Sequence, residues 1–360
     1  MSVVFGRTGR PMYRVSSEHQ SQPFLATARA TRREKQVVLV IACISLVAFI
    51  VIAPFARQPL AKVPSFISMY GAALLFVDLI TSIILYDQFV RVRSAAVLVL
   101  ASGYFFDALM VIPHGLTFPG VFTPGGLLGA KEQTTAWLSV FWRGGFSSFV
   151  IAYVLLRDTD EWLSAHWSPS RAALAIISSV TLVIGLVLAL FLLVTWGHDW
   201  LPVIVQGGDY SLLVIKGISP AAAALALLAA FILWRRREHV LDLWLLLVML
   251  MWFFCISLSV VFGSSRFDLG FYAGRIFGLI STALLLIVLV VEMAQMYAGA
   301  LAAAVAARNS SDIARHNHAS SAAAPLLGDQ PGTFIHRENV ARYRARPGQR
   351  PARSLYAPNA

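Results

Sequence analysis

Between residues 37 and 298 the chain alternates long apolar runs with short polar breaks, and it does so eight times. The runs fall at about 37–55, 64–89, 94–112, 134–156, 172–195, 211–234, 239–262 and 269–298. A helix needs roughly 20 apolar residues to cross the hydrocarbon core, so each run is read as one crossing. The second and last run long, and are expected to tilt or to extend into water. The pattern predicts an all-α integral membrane protein, a bundle of eight transmembrane helices over 37–298. Residues 1–36 are a polar, basic arm expected to be mostly disordered. Residues 299–360 form a tail. Seven of the ten residues Gly299–Arg308 are Ala or Leu, which extends the last helix briefly. Beyond them Ser, Ala, Pro, Gly and Arg predominate, and that composition reads as disorder. Phe334–Arg346, with Glu338, Tyr343 and several Arg, has the makings of a helix that forms against a partner or lipid.

Composition agrees with a bilayer as solvent. Hydrophobic residues make up 58% of the chain, and mean hydropathy is +0.71. Charged residues are 13%, against about 25% in soluble domains. The first apolar run is long enough to stay as an anchor, so no secretory signal peptide is expected. Cys43 and Cys255 each sit mid-span and read as small packed core residues.

The net charge of +11 is a matter of topology rather than of nucleic-acid binding. With the N-terminus cytoplasmic, inside segments hold 22 Lys and Arg and outside loops hold four, Arg57, Lys62, Lys131 and Arg266. An even number of spans then places both termini in the cytoplasm.

Residues 64–156 carry the most distinctive wording of the chain. The segments are the Tyr86–Phe89 turn, Ala101–Tyr104, the run Ile112-Pro113-His114-Gly115-Leu116-Thr117-Phe118-Pro119-Gly120, and Trp137 to Phe146. Glu292-Met293, at the end of the last span, adds a weaker match. Together they resemble the membrane-associated sensor domain of the fourth type, in the MASE class, over roughly residues 30–300. The resemblance implies the membrane input module of bacterial histidine kinases and diguanylate cyclases, and hence a bacterial inner membrane. Two departures stand out. A His often follows the Trp of the family pattern, and here Arg143 follows Trp142. No output domain is expected in this chain. Gly207-Gly208-Asp209-Tyr210 looks like a cyclase signature but lies in an outer loop, and His316 and His318 lack the surroundings of a kinase.

Ionisable groups inside spans are costly unless paired or hydrated, so they mark candidate sites. Asp78 falls near the middle of the second span; Asp107, Arg143, Lys216 and Arg275 fall in outer parts of theirs. Asp107 and Arg143, at similar depth on sequential spans, are the expected ion pair. Asp78 is expected to hold Lys216 or Arg275, which leaves one cation over. Two readings follow: a pocket open to the outside that binds an anionic or strongly polar ligand, or an ion-pair network that fixes helix register. His114 is placed on an outer loop, 113–133, as an interfacial hydrogen-bonding group or, less simply, a ligand. That loop is expected to be structured, with turns at Pro119-Gly120 and Pro124-Gly125. Trp137, Trp142, Trp196 and Trp200 are read mostly as an aromatic belt. Gly270, Gly274 and Gly278 make a smooth stripe for close helix packing, within one subunit or at a dimer seam. Asp242 and Glu292, at inner helix ends, are assigned no chemistry.

Catalytic sets are absent: no P-loop, HExxH, nucleophile elbow or metal-spaced Cys/His cluster occurs. The chain is expected to be no enzyme and to hold no metal, and nothing names a cofactor. The expected function is a sensory input module that detects a membrane or periplasmic stimulus and acts on a cytoplasmic signalling protein in trans. A homodimer is left open, and no nucleic-acid partner is expected. The alternatives are a small-molecule transporter that uses the outer-half charges, with Ser219-Pro220 as its candidate helix break, and a degenerate sensor or scaffold that has lost its output domain.

Overall fold

The computed structural model describes residues 4–5, 11–12, 30–157, 168–205, 212, 214, 217–236, 239–263 and 265–323. Among them are eight helices long and apolar enough to cross a membrane. They are α1 (Arg32–Ile52), α2 (Pro64–Val92), α3 (Ala95–Thr117), α4 (Thr134–Leu156), α5 (Pro169–Thr195), α6 (Ile218–Arg235), α7 (Val240–Ile256) and α8 (Leu269–Ala323). Two short strands, Val4–Phe5 and Pro11–Met12, pair antiparallel before them. One compact unit ends at Tyr297, and a second covers Ala298–Ala360. Lys216, Gly207 to Tyr210, most of the N-terminal arm and residues 324–360 lie outside the described residues.

Local chemistry sets the helix ends. Thr31 caps α1 in a reciprocal box with Glu34. Pro64 and Pro169 open α2 and α5, where a missing N–H costs nothing. The α2–α3 turn lies at Arg93-Ser94, and Tyr86–Phe89, expected as a turn, is inside α2. Arg93 takes the left-handed conformation (φ 59°), its N–H returns to Phe89 O at 2.8 Å, and the Ser94 hydroxyl accepts from the Val97 N–H. So short a turn makes α2 and α3 antiparallel neighbours, and α4 packs on α3.

The helices differ sharply in cover. Only 6% of the most apolar stretch of α1 and of α5 is buried, against 67% for α3 and 61% for α7. The bundle is therefore centred on α3, α4 and α7, with α1 and α5 at its margin. Leu39, Val40, Ile44, Val47 and Ile50 of α1 all face outward, as does Cys43, which is no core residue. Burying one such Val, Leu or Ile side chain contributes about 1.5–3 kcal/mol in water. In lipid that difference vanishes, and close packing with polar contacts must hold the helices together.

Glycines supply the close packing. A Cβ added at Gly103 would stand 2.7 Å from Phe149 Cβ, and one at Gly145 would stand 2.5 Å from the Phe106 ring. These reciprocal fits bring α3 and α4 together. The stripe on α8 meets its own chain. Added Cβ atoms at Gly270, Gly274 and Gly278 would lie 2.3 Å from Leu258 O, 2.0 Å from Ser259 Oγ and 2.8 Å from Tyr70 Oη. The facing segment, Ser257–Phe262, is a π-helical turn that continues α7. Its wider coil is accommodated because α8 presents no side chain there.

Two helix ends differ from the sequence expectation. α3 continues through Pro113 and His114 to Thr117, so the loop is shorter than 113–133. The proline forgoes one backbone bond; the end is closed by the Thr117 hydroxyl donating to Pro113 O (2.7 Å) and by Leu127 N–H donating to Leu116 O (2.9 Å). α6 is described from Ile218, after Gly217 in the left-handed region (φ 71°). Ser219-Pro220 thus lies in the first turn of α6, where proline is tolerated.

Candidate functional site

One end of the bundle gathers the C-terminus of α3, the N-termini of α4, α6 and α8, and the π-helical turn. Between them lies a cavity of about 630 Å³, counted with its open mouth. His114 and Phe118 come from α3 and its end, and Thr135, Ala136, Ser139, Val140 and Arg143 from α4. Ser219 and Ala222 come from α6, Ile256, Ser259 and Val260 from α7 and the π-turn, and Ser265, Arg266, Phe271 and Arg275 from the last connection and α8. Ala136, Ser139, Val140 and Arg143 follow i, i+3, i+4, i+7 spacing, so a single face of α4 forms one wall.

Among the described residues the lining holds three guanidinium groups, one imidazole and five hydroxyls, and no carboxylate. Arg143 is 7% exposed, and its Nη1 has no hydrogen-bond partner. Arg275 is 6% exposed; its Nη1 donates to Phe271 O (3.1 Å), and its guanidinium lies 3.4 Å over the Phe271 ring. Arg266 stacks 4.9 Å over Phe118. Cation–π contacts hold a guanidinium in place while leaving its edge N–H groups directed elsewhere.

The mouth is built by connections that are themselves fastened. Residues 56–63 lie along 267–270, with Leu60 N–H donating to Phe267 O (3.0 Å) and Gly270 N–H to Ala56 O (2.8 Å). The Tyr272 hydroxyl donates to Ala61 O at 2.7 Å. Asp268, fully buried, accepts from Ser265 N–H (3.1 Å) and Phe271 N–H (2.7 Å) and so caps α8. In the connection after α3, Gly126 has φ 85° and an added Cβ would stand 2.3 Å from Thr117 O. Only glycine fits both that conformation and that contact.

The expected Asp107–Arg143 pair does not form, and the expected Asp78–Lys216 alternative lies outside the described residues. Asp107 takes its hydrogen bond from the Trp142 indole N–H, not from Arg143. Residues 142 and 143 are adjacent on α4, about 100° apart around the helix axis, and it is the indole that turns toward α3. Asp78 holds no basic side chain among the described residues; it lies against Asp107 instead, within hydrogen-bonding reach. The structure thus divides the predicted set. His114, Arg143 and Arg275 share the cavity, and Asp78 and Asp107 form a separate carboxyl pair.

Trp142 joins the two groups. It is 4% exposed, so it belongs to the interior rather than to a belt; Trp196 and Trp200, at 82% and 84%, face outward. Its ring lies 5.3 Å from that of His114 and 6.3 Å from that of Trp252. The Trp252 indole N–H donates to Arg143 O at 3.4 Å. His114 is buried in α3 rather than exposed on a loop.

Asp242 lies at a helix end, as expected, in the first turn of α7, but it is buried rather than exposed to water. It is 1% exposed and binds two groups of α4: the Tyr153 hydroxyl donates to Oδ1 (2.8 Å), and Arg157 Nη1 to Oδ2. Tyr153 and Arg157, spaced i and i+4 at the end of α4, were the available signal.

No group of three or more metal-ligating side chains occurs among the described residues. Neither the curated proteins nor the solved structures include a match to this chain. The match that exists is to a family described as "Membrane-associated sensor, integral membrane domain", and it covers residues 61–297. It begins after α1, later than the resemblance at about residue 30 suggested, and its end coincides with the end of the compact unit at Tyr297. With seven of the eight membrane-spanning segments inside that match, the chain belongs to the MASE4 family of membrane-embedded sensor domains.

Proposed function

We propose that the chain is a sensory input module that binds an anionic solute in the arginine-lined cavity and signals to a cytoplasmic partner in trans. The observation that carries this reading is Arg143, a guanidinium more than nine-tenths buried at a cavity wall that has no carboxylate among its described residues. A buried charge is costly to maintain alone, and an anion with hydrogen-bond acceptors offsets that cost. The hydroxyls of Ser139 and Ser259 add neutral donors, and Val140, Ile256 and Val260 give an apolar wall. The distribution of Lys and Arg supports an outward-facing mouth and cytoplasmic termini.

Signalling requires a ligand that prefers one of two states. An anion drawing Arg143 of α4 and Arg275 of α8 toward each other would couple the positions of those helices. The route inward is then α8, with residues 299–360 as the contact for a partner.

The test is mass spectrometry of the protein isolated in lipid nanodiscs from its native membranes, which scores co-purified small molecules and proteins together. The expected result is an anionic species that is lost with Arg143→Gln and a signalling protein that is lost on deletion of 299–360. An anion retained by Arg143→Gln would refute the cavity as the site. A full complement of bound species without any protein partner would refute signalling in trans.

A further inference from the structure

The carboxyl pair lies apart from the cavity and is absent from its lining. Asp78, midway along α2, and Asp107, midway along α3, are both fully buried. The Ser82 hydroxyl donates to Ala101 O (3.0 Å), and a Cβ added at Gly71 would meet Val111 at 3.3 Å, an antiparallel register that sets Asp78 opposite the Tyr104–Asp107 turn of α3. Among the described residues no salt bridge reaches either one; the Trp142 indole N–H donates to a single oxygen of Asp107. Both oxygens of Asp78 and the second oxygen of Asp107 have no hydrogen-bond partner. Tyr104, one turn before Asp107 on the same helix, is fully buried, faces both carboxyls, and its hydroxyl is also without a partner.

Ionised carboxylates are acceptors only. Two of them cannot hydrogen-bond to each other, and in a fully buried contact their like charges repel. A proton between them turns the contact into a charge-assisted hydrogen bond and halves the buried charge. We propose that Asp78 and Asp107 bind one proton between them, making a proton site inside the bundle that is distinct from the arginine cavity and joined to it through Trp142.

The surroundings fit that assignment. The other ionisable groups beside the pair are Tyr104 on α3, which faces both carboxyls, and Tyr70 on α2, on the Asp107 side; Arg143 on α4, Cys255 on α7 and Arg275 on α8 lie around Tyr70 instead. α5 brings no titratable side chain within 172–195. Arg143 and Arg275 are committed to the cavity side. Loss of the proton would set two like charges against each other across the α2–α3 contact. Trp142, bonded to Asp107 and packed on His114, would carry the displacement to the cavity wall.

The experiment is infrared difference spectroscopy of the full chain in lipid nanodiscs at neutral pH. The expected spectrum contains a carboxylic-acid C=O stretch, resolved from the carboxylate bands, that moves on exchange into heavy water. Asp78→Asn and Asp107→Asn should each abolish it, because an amide N–H then supplies the donor and the remaining carboxyl stays ionised. Trp142→Phe keeps the ring contacts but removes the N–H, so the band should persist at a changed frequency; this variant retains a readout if either Asn variant fails to fold. Absence of the acid band in the unmodified protein overturns the proposal, as does a band that survives both Asn substitutions. A band that appears only when sodium is withdrawn would assign the pair to a metal cation and equally overturn it.

Discussion

Replacing Gly274 by alanine adds one methyl group at the tightest helix contact in the bundle. The new Cβ would stand 2.0 Å from Ser259 Oγ and 2.7 Å from Cys255 O. The first neighbour is a side-chain atom that can rotate away; the second is backbone and cannot move without displacing the π-helical turn. Overpacking a filled site costs about 1–3 kcal/mol, and two contacts under 3.0 Å, one of them to backbone, place this case near about 3. Alanine recovers about 1 kcal/mol of helix propensity, which leaves a net loss of about 2 kcal/mol. The Ser259 hydroxyl has no hydrogen-bond partner, so Ser259→Ala alone should cost little. It removes the 2.0 Å clash but leaves the 2.7 Å one. The double variant should therefore regain about 1 kcal/mol, a coupling of the size expected between touching residues. The assay is reversible unfolding by SDS in mixed micelles, followed by far-ultraviolet circular dichroism, for all four members of the cycle. If Gly274→Ala leaves unfolding unchanged and instead weakens self-association, the glycine stripe is a seam between copies and the reasoning from intramolecular fit is wrong.

Further substitutions probe other contacts. Gly144 and Gly145 are neighbours on α4 with opposite surroundings: nothing lies within 4 Å of a Cβ added at Gly144, whereas one at Gly145 would meet Phe106 at 2.5 Å. Gly144→Ala should be neutral or stabilising by up to about 1 kcal/mol, and Gly145→Ala destabilising by about 1–3 kcal/mol in the same unfolding assay. Equal effects would show that the α3–α4 contact is looser than described. Asp242→Ala strands the Tyr153 hydroxyl and the Arg157 guanidinium, and should cost about 3 kcal/mol, the low end for one partner of a buried pair because Arg157 keeps some access to water. Arg157→Ala in that background should then have almost no further effect; a full second loss would mean that the two side chains act independently.

What was legible in the sequence depended on range. A span is a property of about 20 consecutive residues, so eight helices could be read from hydropathy alone. The arginines and His114 could be picked out because a charge or imidazole in an apolar run is visible locally. Their partners could not. Asp107 was matched to Arg143 by sign and depth, but the donor that reaches it is the neutral Trp142, one residue earlier and on another face of α4. Asp78 was matched to Lys216, which lies outside the described residues, or to Arg275; the second carboxyl beside it is an arrangement that opposite-charge pairing never proposes. Pro113 was read as the start of a loop because proline ends most helices, whereas here a threonine hydroxyl and a returning backbone N–H close the helix one turn later. Asp242 could be read as a helix-end group, but not as a buried one, because its two partners lie more than eighty residues earlier in the chain.

These misses share a physical origin. In a bilayer, burying a leucine against another helix gains little over burying it in lipid, so apolar pattern fixes how many helices form and leaves their arrangement open. The arrangement here is set by contacts that lipid cannot imitate: glycines that let backbone meet side chain, indole N–H groups serving a carboxyl and a carbonyl, and an aspartate bridging α4 to α7. Each is long-range in sequence, and each depends on which face of a helix turns inward. The two candidate sites lie where those same contacts converge. Trp142 both fixes α4 against Asp107 and stands beside His114 at the cavity. Ser259 both meets the glycine stripe and lines the cavity wall. A ligand that shifts either residue therefore acts directly on the contacts that choose the helix arrangement, which is the property a membrane-embedded sensor requires.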